Sequence, residues 1–256
     1  MISIIKENKN LEKTIKAILV LIFWLAVWQT ASLVVKDDLK LFLPSPIAVI
    51  KKWFEVGFKP DYIQAALFTL LRVIAGFITG VLSGFVLGLL TSQLKIINLC
   101  LSPVMKIIRA VPVVSFIILA FLFINVDSLP IFISFLMVVP LVWQTVHDSI
   151  TQTDIHIDEM CKTFKLNRFK TLFLVKLPQC TRQIITACIN ALGFAWKSGV
   201  AAEVLCTPDI SLGHKIYSAK ASLGFDEVYA VTLTVVLLSI IIEMLLKRLV
   251  KEGGAK

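Results

Sequence analysis

The chain has 256 residues, 57% of them hydrophobic and 17% charged, with a formal net charge of +9. Apolar residues in that proportion, gathered in long runs, exceed what one soluble core of this size can bury, which excludes an ordinary soluble domain and points to lipid as solvent. Nucleic acid does not explain the positive charge, because the cations flank apolar runs instead of lining a groove with stacking aromatics.

A bilayer-crossing helix needs roughly 20 apolar residues. Six runs approach that length: Ile15 to Val35, Ile63 to Leu90, Val104 to Asn125, Leu129 to Val146, Ile184 to Leu205 and Val228 to Leu246. The expected fold is all-α, a polytopic membrane bundle of about six transmembrane helices in one domain spanning 1–256. Lys6, Lys9, Lys13 and Lys16 precede the first run, Lys95 lies between the second and third, and Lys247, Arg248 and Lys251 follow the sixth. Lys and Arg collect on the cytoplasmic side, so both termini are expected there, in a multi-pass protein of the cell (inner) membrane. The segment Lys36 to Asp61 dissents: it is assigned outside, yet holds five lysines nearly balanced by four acids. A signal peptide is the rival reading of the start. Against it, Trp24 and Trp28 stand where a small-residue cleavage site belongs, and further membrane sequence follows.

In the second run Gly76, Gly80, Gly84 and Gly88 fall four apart, a smooth strip on one helix face where backbones approach closely. It suits first a packing seam within one subunit, and second a surface that slides between states. Arg72, near the outer end, reads as a snorkelling residue or a partner to a loop acid rather than a cargo ligand. Pro112, Pro130 and Pro140 are expected to bend or end helices in the third and fourth runs.

A polar stretch, about 148–182, interrupts the apolar pattern between the fourth and fifth runs, with Lys162, Lys165, Arg168, Lys170, Lys176 and Arg182 against Asp154, Asp158 and Glu159. So basic a loop belongs in the cytoplasm. Asp154 is expected to cap a short helix to Phe164, and Asn167 a second one ending before Pro178. In the fifth run, Trp196, Lys197 and Ser198 sit near mid-helix, with Glu203 toward the outer face. These four are the candidate substrate pathway. Lys197 and Glu203, six apart, do not share a face, so Lys197 stays open between a structural, paired role and a pathway-lining one that favours anions. After Thr207-Pro208-Asp209, the pattern through Ala221 suits a short amphipathic helix on the outer surface, with a plain connector as the alternative. Glu243, four before Lys247, is spaced for a local ion pair.

Five scattered cysteines give no disulfide framework or zinc spacing. The three histidines show no metalloprotease spacing, and no Walker or nucleophile-elbow motif occurs. No catalytic, metal or cofactor site is therefore expected, and the chain cannot hydrolyse ATP by itself.

The polar loop resembles the coupling loop of ABC importer permeases, whose signature is Glu-Ala-Ala, a Gly four residues on, and a Leu-Pro pair. The matching positions are Glu159, Met160, Cys161, Lys165, Leu177 and Pro178, with both alanines and the glycine replaced. Leu43-Pro44-Ser45-Pro46, Thr69-Leu70-Leu71-Arg72-Val73, Gly76-Phe77, Arg109-Ala110-Val111-Pro112, Trp196 and Ala202-Glu203 are similar to the branch that imports nitrate, sulfonates, taurine and bicarbonate. The resemblance implies that Asp158, Glu159, Cys161, Lys165, Leu177 and Pro178 couple the chain to a cytosolic ATPase. It further implies a second copy of the chain, two ATPase subunits that hold ATP and Mg, an extracytoplasmic binding protein and alternating access at the dimer interface. The cargo class is an oxyanion or sulfonate, or a small organic such as a pyrimidine vitamin precursor. Because a Lys replaces the signature Gly, the turn is expected to shift to Asn167 and leave Lys165 with negative φ. A secondary carrier or channel without an ATPase is the alternative.

Overall fold

The computed structural model describes residues 2–35, 41–153 and 155–253. Asp154, expected to cap the first loop helix, and the charges at 36–40 lie outside the described residues, as do the side chains of Lys6, Lys9, Lys13, Asp158 and Lys251. Every regular element described is helical: α1 (Ile2–Val34), α2 (Pro46–Val56), α3 (Pro60–Gln93), α4 (Lys95–Ala110), α5 (Val113–Phe121), α6 (Leu129–Thr151), α7 (Ile155–Thr163), α8 (Arg168–Lys170), α9 (Leu177–Cys206), α10 (Leu212–Ala221) and α11 (Phe225–Gly253).

Among the described residues, four helical segments are long and apolar enough to cross a membrane: Pro60–Gln93, Leu129–Thr151, Arg168–Cys206 and Phe225–Arg248. The third apolar run is not one straight span. It breaks into α4 and α5, which meet at 101°, and only the pair together reaches spanning length. Pro112 is the cause: it pushes Val111 out of the helical region, to φ −79° and ψ 133°, and supplies no N–H to continue the ladder. The strictly apolar part of α1 is Ile18–Val34, shorter than the other spans. Among the described residues the count is four spans, or five with the bent pair, where about six were expected. Pro140, by contrast, sits inside α6 without ending it.

The bundle is built on α6. Helix α3 runs parallel to it with its glycine strip against α6 side chains, and a Cβ at Gly80 or Gly88 would stand 2.7 or 2.6 Å from Cβ of Val138 or Val146. The strip is therefore a packing seam within the subunit. Helix α9 runs antiparallel on α6, pinned by Ser134 Oγ donating to the Ala195 carbonyl at 3.1 Å and Cys180 Sγ to Ser149 O at 3.1 Å. Val73, Val138, Val142, Val146, Ala191, Ala195 and Trp196 fill the space between the three helices.

Helix α2 lies within the segment read as a loop. Its signal was legible: Ser45 Oγ accepts from the Ala48 N–H at 3.2 Å and Pro46 occupies the first turn. Trp53 and Tyr62 both hydrogen-bond Thr234 Oγ1, tying α2 and the start of α3 to α11. Helix α10 forms as expected, capped by Ser211 Oγ accepting from His214 N at 2.9 Å. The pair Lys247–Glu243 also forms, on an exposed face.

Candidate functional site: a polar loop and a cationic helical face

The loop 148–182 holds the two helices expected, but their ends differ from the expectation. Helix α7 ends in a Schellman motif, Leu166 N–H to Cys161 O and Lys165 N–H to Lys162 O, both 3.0 Å. That motif needs a left-handed residue, and Lys165 supplies it with φ 50°. The turn does not move to Asn167, which has φ −65° and instead caps the next helix, its side chain accepting from Phe169 N–H. The closing geometry of α7 is specified by its own carbonyls, so the strain of a non-glycine residue falls on Lys165.

The second loop helix does not end before Pro178. From α8 the chain passes through a π-helical stretch, Thr171–Lys176, and continues into α9 as one 39-residue segment. The wider π turn, with Leu177 N–H bonding Leu172 O, accommodates a proline that can neither donate nor tolerate a close carbonyl one turn back. Leu177 and Pro178 mark this junction. On α7, Glu159 and Met160 are exposed and Phe164 beyond its end is 72% exposed, whereas Cys161 is buried. Cys161 therefore packs the loop, and Glu159, Met160 and Phe164 form its outward surface. His156 lies 3.6 Å from Glu159.

At the opposite end of the bundle, Glu203 is fully buried. Its carboxylate accepts from Thr69 Oγ1 at 2.7 Å, Gly213 N–H at 3.3 Å and Arg72 Nη1 at 3.4 Å. Arg72 also donates to Ile210 O at 2.8 Å and to Asp127 at 2.6 Å. The expected loop acid for Arg72 is thus Asp127, and the guanidinium joins α3, the α5–α6 loop, α9 and the α9–α10 loop. Gly213 lies flush on Glu203 with no room for a Cβ.

The four pathway candidates do not converge. Trp196 is buried and donates to Val235 O at 3.1 Å; Ser198 is buried and donates back to Phe194 O at 2.8 Å. Lys197, between them, points the other way and is exposed, with no ion-pair or hydrogen-bond partner among the described residues. It shares one exposed helical stripe with Gln183, Thr186 and Asn190.

Sequence reasoning missed the polar grooves of α4 and α6. Asn98, Ser102, Lys106 and Arg109 recur along α4 and, with Gln144, His147 and Asp148 of α6, line a groove of about 180 Å³. Asp148 also borders an adjoining groove with Gln152, the residue that follows α6, and Gln183 of α9. Asp148 is the one acid lining these two grooves, with Lys106 and Arg109 in the first, while Lys197 lies farther along the exposed α9 stripe that begins at Gln183. The signal was present in the three-to-four-residue spacing of polar residues on α4.

The model of the binding-protein-dependent transport system inner membrane component family matches residues 76–252. The chain is similar to the nitrate import permease protein NrtB of Synechococcus elongatus, 25% identical over 225 residues, covering 83% of this chain and 79% of that protein. The taurine transport system permease protein TauC of Escherichia coli is 23% identical over 231 residues, covering 88% and 83%. The glycine betaine transport system permease protein OpuAB of Bacillus subtilis is 23% identical over 199 residues, covering 76% and 70%. Among solved structures, an amino acid ABC transporter with histidines superposes with TM-score 0.63 at 17% identity, covering 78% of this chain and 95% of that one. The MetNI methionine ABC transporter, in inward-facing conformations, follows with TM-score 0.55 at 15% identity, covering 85% and 99%. The shared fold, the apolar spans and a family match over most of the chain converge: this protein belongs to the family of binding-protein-dependent transport system inner membrane components, the multi-pass permease subunits of ABC importers.

Proposed function

We propose that the chain is a single transmembrane domain that dimerises with a second copy of itself and passes a small anion, an oxyanion or sulfonate, between the two copies. The observation that carries this reading is cationic and polar side chains left open on apolar helices: Lys106 and Arg109 in a groove with the one acid Asp148, and the exposed Lys197 on α9, unpartnered among the described residues. An unpaired cation in a membrane-spanning helix costs several kcal/mol unless it faces water or a partner, and a water-filled path between subunits supplies that setting. The relatives named for nitrate and taurine, an oxyanion and a sulfonate, support the same cargo class.

Glu159, Met160 and Phe164 provide the docking surface for a cytosolic ATPase, with Asp158 and Lys165 beside them and both termini on that side. ATP and Mg are held by two such subunits. Because α8, the π turn and α9 form one helical segment, displacement of the loop moves Lys197 with it. ATP-driven closure then rocks α9 against α6 and alternates access. Trp196, Ser198 and Glu203 act through this motion by fixing how α9 packs. An extracytoplasmic binding protein delivers cargo at the Arg72–Glu203 end.

The test is Lys197→Met in proteoliposomes carrying permease, ATPase and binding protein. We expect intact assembly and uptake slowed about tenfold, the equivalent of ~1.4 kcal/mol of lost attraction. Normal uptake by well-assembled complexes would remove Lys197 from the path. A carrier or channel reading predicts uptake without any ATPase subunit.

A further inference from the structure

Two adjoining cavities lie where α3 meets the polar loop, and their chemistries differ. One, about 410 Å³, is lined by Lys162, Arg168 and Lys176 beside Gln93 and Thr171, and no carboxylate lines it. The other, of similar volume, is apolar, formed by Val86, Leu90, Leu94, Phe169 and Phe173. Gln93, Arg168 and Leu172 line both, so they are one continuous groove with a cationic end and an apolar end.

The groove is oriented like the membrane. Gln93 closes α3, and Val86 lies seven residues before it, ~10 Å along the helix axis. The apolar end opens onto an apolar strip of α3, where Leu67, Leu71, Ile78, Leu82, Val86 and Leu90 are all exposed, the kind of surface that lipid covers. The cationic end sits beyond that strip, level with the polar loop. An occupant must therefore place a negative head among Lys162 and Arg168 and an alkyl chain along α3 between Phe169 and Phe173. A soluble anion leaves the apolar end empty, and an uncharged lipid leaves Lys162 and Arg168 unanswered.

We propose that this groove binds an anionic phospholipid, its headgroup phosphate at Lys162 and Arg168 and one acyl chain along Val86 and Leu90. The lipid sits in the cytoplasmic leaflet, which rests on the loop orientation proposed above. It wedges between the end of α3 and the helical segment that leads into α9, joining the loop to the bundle through a molecule drawn from the bilayer. Charged headgroups close to paired Lys and Arg side chains are held more tightly than zwitterionic ones.

Native mass spectrometry of the full-length chain in detergent tests this with phosphatidylglycerol and phosphatidylcholine carrying identical acyl chains. The expected result is retention of phosphatidylglycerol about tenfold above phosphatidylcholine. The double variant Lys162→Gln/Arg168→Gln, both at exposed positions, should reduce that preference to near unity. Leu90→Trp, which fills the apolar end, should weaken retention of both lipids. Millimolar glycerol 3-phosphate should not displace phosphatidylglycerol. Equal retention of the two lipids by the unaltered chain, or an undiminished preference in the double variant, would overturn the proposal. So would displacement by glycerol 3-phosphate with Leu90→Trp binding normally, which would mark a site for soluble anions. Lipid retention is read without transport or ATPase, so its failure and a failure of the import reading are separate results.

Discussion

Arg72 holds four parts of the chain at one guanidinium, and its partner Glu203 has no exposure at all. Removing one member of a buried pair strands the other charge, a loss of ~3–5 kcal/mol, whereas deleting one of several hydrogen bonds to the carboxylate costs about 1–3 kcal/mol. Arg72→Met should therefore lower the melting temperature of the purified chain clearly more than Thr69→Ala. Equal shifts would show that Asp127 and Ile210, not Glu203, account for the role of Arg72. Lys165 is the opposite case, a residue placed where a smaller one fits better. With φ 50°, it bears strain of the order of 1 kcal/mol that glycine avoids. Lys165→Gly should slow amide hydrogen exchange at the end of α7 about fivefold, since ~1 kcal/mol corresponds to that factor in the opening equilibrium. Unchanged exchange would mean that the left-handed turn is held by its surroundings alone.

Among the elements, α3 and α6 show how a sequence pattern acquires meaning. Four glycines spaced by four describe a smooth stripe, but only the parallel packing shows that each faces α6 inside the same subunit. At Gly80 an added methyl meets Val138 at 2.7 Å, so one helix must shift. Gly80→Ala should destabilise the chain by about 1–3 kcal/mol, the range for overpacking a filled core. Gly193→Ala on α9 is the control: nothing lies within 4 Å of the added atom, and the better helix propensity of alanine should leave stability unchanged or slightly raised. Thermal unfolding of both variants in detergent checks the contrast, and similar losses at both positions would count against steric filling. The junction of α8 with α9 carries the other lesson. A Leu-Pro pair reads as a stop because proline disrupts an α-helix, yet the π turn lets the helix run through it.

For the whole molecule, the decisive prediction concerns coupling. Glu159 is exposed on α7, so Glu159→Lys should change folding stability by about half a kcal/mol or less while reversing a charge on the proposed docking surface. ATP hydrolysis by the assembled complex should then lose its stimulation by loaded binding protein at unchanged permease yield; full stimulation would move the docking surface elsewhere. The membrane class, the helical fold and the family were legible in the sequence because they depend on properties local along the chain: run length, hydropathy, and motifs such as the polar loop with its Leu-Pro end. The caps at Ser45 and Asn167 belong to the same category, each made by a residue within three positions of its partner. What depended on distant parts of the chain was not legible. Trp196, Lys197 and Ser198 are consecutive, yet only packing on α6 and α11 turns the first and third inward and leaves the lysine outside. The polar grooves exist only because α4, α6 and α9 come together at Asp148. Hydropathy reports how much of a helix is apolar, but tertiary contacts decide which of its sides meets protein and which stays open for cargo, partner or lipid.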